Sequence, residues 1–301
     1  MGLFDRLVSL TLPVVPKPIV GYFSRRYIAG ESLDQAFGVA RLLLDKNALV
    51  TMDILGEFIE DLSEADANTA QYVDLIRKVA EQRLPDTNVS VKLTALGLQL
   101  DKAACLANLR KLMDAVRETG KFLRIDMEDS PCTDDTLELY RVLRDEYPGM
   151  VGVVLQARLR RSMADIDALV HPQANYRLCK GIYLEPEEIA FTEPDPIRAS
   201  FTALLERMIE TGAYVGIATH DEQLVDEAIA LIEKHRLPKE RYEFQMLLGV
   251  TEMLRQRILD AGHRLRVYVP YGVQWYPYSV RRLRENPQIA GYAFKALFNR
   301  K

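Results

Sequence analysis

Short apolar runs rich in Val, Ile and Leu alternate along this chain with longer segments whose apolar residues recur every three or four positions. Eight such runs occur: ALVTMDIL (48–55), NVSVKL (88–93), FLRIDME (122–128), VGVVLQ (151–156), YRLCKG (176–181), AYVGIAT (213–219), YEFQML (242–247) and LRVYVP (265–270). Between them lie helical patterns such as ADANTAQYVDLIRKVAEQRL, KAACLANLRKLMDAVRETG, TDDTLELYRVLRDEY, FTALLERMIETG, DEQLVDEAIALIEKHRL and VTEMLRQRILDAG. Several close on a glycine, and Asp221 stands where it could cap its helix. Strand followed by helix, eight times over, predicts an α/β fold of the (β/α)8, TIM-like barrel type. A doubly wound sheet is the alternative, but its GxGxxG fingerprint follows none of the strands. Residues 1–45 read as an N-terminal helical extension over the barrel's bottom or side, and 46–301 as the barrel itself, with no linker between independent domains.

Composition narrows the classes of function. Hydrophobic residues make up 48% of the 301, enough for a large core, and the net charge of -4 comes without long blocks of one sign. That argues against a nucleic-acid surface and for small-molecule partners. Cys105, Cys132 and Cys179 form neither a CxxC pair nor a secretory framework, so a cytoplasmic setting is expected. No stretch approaches the roughly 18 apolar residues of a membrane span, and no N-terminal run combines the basic head, apolar centre and small-residue cleavage site of a signal peptide, so a soluble or at most peripheral chain is expected. His171, His220, His235 and His263 lack metal-binding spacing, so no metal site is expected.

In a barrel the strand ends and following loops carry the chemistry. Polar residues there are Glu57 after the first strand, Lys92 after the second, Asp126 and Glu128 after the third, and Gln156 after the fourth. Lys180 and Tyr183 follow the fifth, Thr219 and His220 the sixth, Gln245 the seventh, and Tyr268 the eighth. Arg177, on the fifth strand, is expected to point inward. A lysine between Val91 and Leu93, or a carboxylate within LRIDME, has no easy route to water and must be paired or lie in a cleft. Beyond the last strand, Pro277 suits the first turn of a helix that would bring Tyr278, Arg281 and Arg282 onto one face. Two guanidinium forks so placed suit a carboxylate ligand. A Schiff-base lyase using Lys92 is a second chemical reading, and a non-catalytic carboxylate binder a third.

The motifs VSVKLTAL, RIDMED, VVLQA, YRLCKGIYLEP, ATHD, YEFQML and RVYVPYG with YSVRRLREN together resemble the proline dehydrogenase family in its short, monofunctional bacterial form, from about Leu49 to Asn286. The resemblance implies a distorted barrel that binds FAD without a Rossmann domain, oxidises L-proline to Δ1-pyrroline-5-carboxylate and passes electrons to a membrane quinone. It also implies roles. Lys92, Arg281 and Arg282 would hold the proline carboxylate, while Tyr268 and Tyr278 wall the ring. Asp126 and Arg177 match the family's active-site pair, with Arg177 near the flavin. Met127, Gln156, Lys180, Gly181, Ile182, Thr219 and His220 would contact FAD, and Glu57 would pair with the first arginine over bound substrate. This chain has GIYLEP where alanine often follows the glycine, and an idiosyncratic FTEPDPIRASF. Apolar and basic residues in PQIAGYAFKALFNRK would allow peripheral contact with the inner face of the membrane, although docking on the barrel is the favoured reading of that tail.

Overall fold

The computed structural model describes residues 21, 24–276, 278 and 279. Eight parallel strands close in chain order: β1 (Leu49–Ile54), β2 (Thr87–Val91), β3 (Leu123–Ile125), β4 (Val151–Gln156), β5 (Asn175–Cys179), β6 (Tyr214–Ala218), β7 (Tyr242–Leu247) and β8 (Leu265–Tyr271). β8 pairs back onto β1 over six residues, with Thr51 opposite Tyr268 and Asp53 opposite Pro270. Helix α1 (Leu33–Leu44) precedes the barrel. The helices after β1 to β7 are α2 (Leu62–Glu81), α3 (Lys102–Thr119), α4 (Thr133–Glu146), α5 (Ser162–Ala168), α6 (Pro194–Glu210), α7 (Glu222–Lys234) and α8 (Glu252–Asp260). The eight-strand barrel read from the alternating pattern is the observed fold, and the doubly wound alternative falls with its closure.

Local chemistry starts and stops the helices. Ser32 and Gln35 form a reciprocal capping box on α1, and the Asp101 side chain accepts from the backbone N–H groups of Ala103 and Ala104 at the start of α3. Gly120 ends α3 at a φ of 65°, where a side chain would be strained. Two details depart from expectation. Asp221 sits at the N-cap of α7 without a capping bond, because its carboxylate turns instead to Lys180 and Arg198. Helix α6 also begins seven residues before FTALLERMIETG, with Pro194 in its first turn.

Strand alternation sorts the side chains. Residues such as Val50, Met52, Val89, Val91, Leu123 and Ile125 face the helices and are fully buried in one continuous core. The opposite set faces the barrel axis, and it is mostly polar. At its lower end Glu243 binds Arg266 through bonds of 2.6 and 3.0 Å, and Arg266 also donates to the carbonyls of Val50 and Asp86. Arg124 donates to the carbonyls of Val153 and Asn175. Gly152 makes room for that guanidinium, since a Cβ there would lie 2.3 Å from Arg124 Nη1. Gly216 does the same for Gln245, whose Nε2 would be 2.4 Å from an added Cβ.

Helix α1 packs its Ala36, Phe37, Ala40 and Leu43 into the main core along the side of the barrel. The segment before it reaches further than the expected bottom or side. Ala29 donates to the Pro270 carbonyl and Gly272 to the Gly30 carbonyl, which ties residues 29 and 30 to the C-terminal end of β8. Among the described residues no helix is long and apolar enough to cross a membrane.

Burial would raise the Glu243 carboxyl, but the adjoining Arg266 overrides it and holds the group down at about 2. A depressed carboxylate stabilises the fold above its unfolded-state value, and that contribution disappears as pH falls through about 2. Glu243→Gln leaves Arg266 buried without its charge partner and is expected to cost about 3–5 kcal/mol. Urea denaturation at neutral pH measures the loss, and the gap between the two proteins should narrow as the pH approaches 2.

Candidate active site

At the catalytic end of the barrel the inward side chains meet in two linked ion pairs. Asp53, on β1, is fully buried, and Lys92 Nζ, just past β2, donates to its Oδ2 at 2.9 Å. The same ammonium lies 4.0 Å from Asp126 Oδ2. Asp126 follows β3 and accepts from three further groups: Arg177 Nη1 at 2.6 Å, Ser90 Oγ at 2.7 Å and Tyr268 OH at 2.8 Å. The Arg177 guanidinium also stands over the Tyr268 ring, 5.3 Å from its centroid. From below, Gln245 Oε1 accepts from Arg177 Nε at 2.5 Å, and Gln245 Nε2 donates to Glu243 Oε1 at 2.6 Å. Arg177 therefore points inward and is held on both sides.

Electrostatics set the protonation of this cluster. Burial alone would lower the Lys92 ammonium, but Asp53 and Asp126 outweigh it and raise the group above the ordinary lysine value. Lys92 is thus held as a cation. Burial first, then Asp126 and Asp53, lift the Tyr268 phenol well above its ordinary value, so it remains a donor to Asp126. With three donors and a nearby ammonium on its two oxygens, Asp126 orients its neighbours.

Beside the cluster opens a cavity of about 250 Å³ lined by Leu55, Gly56, Glu57, Phe58, Lys92, Gln274 and Tyr278. That is smaller than the roughly 300–1,000 Å³ typical of drug-sized ligands and suits a small metabolite. Glu57, Lys92 and Tyr278, far apart in sequence, come together on its wall. Arg281 and Arg282 lie outside the described residues.

On the other side of the mouth are the ends of β4 to β6. Gln156 is buried and donates to the Glu128 carbonyl at 2.9 Å. Gly181 has a φ of 94°, and a Cβ there would stand 2.7 Å from Gln156 Oε1 and 2.8 Å from Arg158 Cγ. Only glycine fits that close approach. Lys180 pairs with Asp221, which Arg198 Nε also holds at 2.7 Å. Ile182 is exposed, while Thr219 and Met127 are buried. His220 Nε2 accepts from the Leu247 N–H at 2.9 Å, which puts the proton of the neutral ring on Nδ1. Polar donors, a bare backbone and an apolar edge thus lie along one side, a chemistry able to hold a planar heteroaromatic cofactor.

Asp53 escaped the sequence reading, although its signal was the one that marked Asp126: a carboxylate at an inward position of an apolar strand. Glu243 carries the same signal, and Arg266 is its cationic counterpart on β8. Glu128, in contrast, is 1% exposed and spends its carboxylate on Thr94, accepting from the backbone N–H at 3.0 Å and from the hydroxyl.

Comparison with known proteins places the chain in a family. Residues 39–293 match the family model described as proline dehydrogenase. The chain is 34% identical over 272 residues to proline dehydrogenase 2 of Bacillus subtilis strain 168, spanning 90% of this chain and 89% of the relative. It is 33% identical over 281 residues to the proline dehydrogenase of Deinococcus radiodurans, spanning 91% and 89%. Among solved structures, proline utilization A from Bdellovibrio bacteriovorus, inactivated by N-propargylglycine, superposes with a TM-score of 0.82 at 29% identity. That match covers 88% of this chain and 32% of the longer one.

A Schiff-base mechanism needs a neutral amine, and Lys92 is held charged by its carboxylates. Incubation with a carbonyl substrate such as pyruvate followed by borohydride is accordingly expected to leave the mass of Lys92-containing peptides unchanged, as read by mass spectrometry.

Proposed function

Because this chain belongs to the proline dehydrogenase family, we propose that it oxidises L-proline to Δ1-pyrroline-5-carboxylate, using bound FAD and delivering the electrons to a quinone. The observation that carries the reading is the pairing of Lys92 with Asp53, and of Arg177 and Tyr268 with Asp126, beside a small cavity that Glu57 and Tyr278 also line.

A zwitterionic imino acid asks for a cation at its carboxylate and a defined wall for its ring. Lys92 supplies the cation within the described residues, and its carboxylates keep it charged across the neutral range. Arg281 and Arg282 would add the planar forks that fix the carboxylate's orientation. Tyr268 and Tyr278 would wall the ring, with Tyr268 locked in place by its bond to Asp126 and by the guanidinium over its face. Glu57 would close the cavity from the β1 side. Asp126 acts as the orienting centre of the site.

FAD fits the opposite side of the mouth. Gly181 allows the backbone to approach it, and Met127, Gln156, Lys180, Ile182, Thr219 and His220 would form its contacts. The bound flavin supplies the two-electron oxidising capacity. The protein's share would be to bind the imino acid and orient the C–H bond beside its ring nitrogen toward the cofactor. Arg177, fixed between Asp126 and Gln245, would place its positive charge where negative charge accumulates on reduction. A quinone acceptor implies contact with a membrane surface, and a cytoplasmic protein that touches the inner face suits that requirement.

The purified protein should be yellow, and anaerobic L-proline should bleach its flavin absorbance. A colourless protein that stays unable to oxidise proline when supplied with FAD would sink the reading. Arg281→Lys and Arg282→Lys should each raise the KM for proline at least tenfold, because an ammonium cannot reproduce the fork. Steady-state assays with an artificial acceptor measure this, and an unchanged KM would remove the clamp.

A further inference from the structure

The loop after β1 is where the small cavity meets its own cover, for Leu55, Gly56, Glu57 and Phe58 all line it. Phe58 has a φ of 51°, in the left-handed region that a bulky side chain enters only under constraint. The constraint is visible. The Phe58 N–H donates to Thr94 Oγ1 at 3.2 Å, and Thr94 belongs to the short helical turn Leu93–Leu96 that directly follows Lys92.

The orientation of the Thr94 hydroxyl is set by Glu128. A hydroxyl has a single proton, and Thr94 gives its own to Glu128 Oε2. The Thr94 N–H donates to the other oxygen, Oε1, at 3.0 Å. Burial raises the Glu128 carboxyl above its ordinary value, and in either protonation state the Thr94 hydroxyl oxygen keeps a lone pair for the Phe58 N–H. Thr94 and Glu128 are 2% and 1% exposed, so the pair is shut away from bulk water. The Glu128 backbone carbonyl in turn accepts from Gln156 Nε2 at 2.9 Å. One hydrogen-bonded line therefore runs from Gln156, beside Gly181, through Glu128 and Thr94 to the loop that carries Glu57.

We propose that Thr94 and Glu128 are positioning residues for substrate binding: through the Phe58 backbone they hold the β1 loop in the conformation that puts Glu57 on the cavity wall with Lys92 and Tyr278. Neither residue touches the reacting atoms. Glu128 acts on Thr94, Thr94 acts on the Phe58 amide, and the loop acts on the ligand. The inference rests on reading this cavity as the proline site.

The test compares Thr94→Val, which keeps the shape and removes the hydroxyl, with Thr94→Ser, which keeps the hydroxyl. In the flavin-loaded enzyme Thr94→Val should raise the KM for proline about fivefold, the effect of one lost hydrogen bond, while kcat stays within about twofold. The Kd of cyclopentanecarboxylate, a ring carboxylate with no amine to oxidise, should rise by the same factor, and Thr94→Ser should match wild type in both. Glycine adopts a positive φ without strain, so in a Phe58→Gly background the Thr94→Val step should change KM by less than about twofold. Equal KM values for the valine, serine and wild-type proteins would overturn the proposal, as would a full effect of Thr94→Val in the glycine background.

Should Thr94→Val fail to fold, amide exchange in the wild-type protein decides. The Phe58 amide should be protected, and more so with cyclopentanecarboxylate present, whereas exchange at the rate of an open peptide would refute the hold. A wild-type protein that does not oxidise proline would defeat the functional reading alone, because ring-carboxylate binding and Phe58 protection are measured without turnover.

Discussion

The axis of this barrel is filled with charge, and charge shut away from water must be paired or fully hydrogen-bonded, as Arg124 is by the carbonyls of Val153 and Asn175. Asp53, Lys92, Asp126 and Arg177 satisfy one another at the upper level, and Glu243 and Arg266 do so at the lower. Gln245 joins the levels, accepting a hydrogen bond from Arg177 and donating one to Glu243. Taking any one of these ions out of the set strands another in a low-dielectric interior, at a cost of several kcal/mol. The active-site geometry is therefore built into the stability of the barrel, and the same bonds serve both.

That filling explains features that an apolar barrel would not need. Gly152 and Gly216 are strand glycines facing inward, where a guanidinium and an amide occupy the space a side chain would take. The short strand β3, Leu123–Ile125, ends just before Asp126, so its carboxylate leaves the ladder at the height where Arg177, Ser90 and Tyr268 converge. The apolar half of each strand faces the helices and supplies the hydrophobic driving force. Alternation thus divides the work between folding outside and chemistry inside.

The same division determines what could be read from the chain. Eight apolar runs separated by helical patterns were legible because burial against helices imposes a period on sequence. Helix α5 was not, since its seven residues, Ser162–Ala168, span too few turns for a period to register. Asp126, Lys92 and Arg177 stood out as ions within apolar strands, and they do meet at the mouth. Asp53 carried the same mark within ALVTMDIL, yet nothing in its spacing from Lys92, 39 residues away, announced the 2.9 Å bond between them. Partner choice depends on which strand ends are neighbours at one height, which is a property of closure and register. Asp221 makes the point from the other side. Its position read as a cap, but two cations brought from β5 and α6 offered a stronger partner than a backbone N–H.

A cation that is charged but already paired can still bind a ligand's carboxylate, and the geometry says how. Asp53 is completely buried and approaches Lys92 from within the barrel, whereas the cavity borders Lys92 at the mouth. An ammonium has three protons, so one directed at Asp53 leaves others for a carboxylate arriving from outside. The internal partner prevents Lys92 from losing its charge on burial, and a lysine without it would drift toward the neutral amine. The buried aspartate is thus what turns a lysine in an apolar strand into an anion site instead of a nucleophile. This also explains why an aldolase-like reading could be drawn from the sequence while the 2.9 Å pairing of Lys92 argues against it: the partner is Asp53, which no motif had marked.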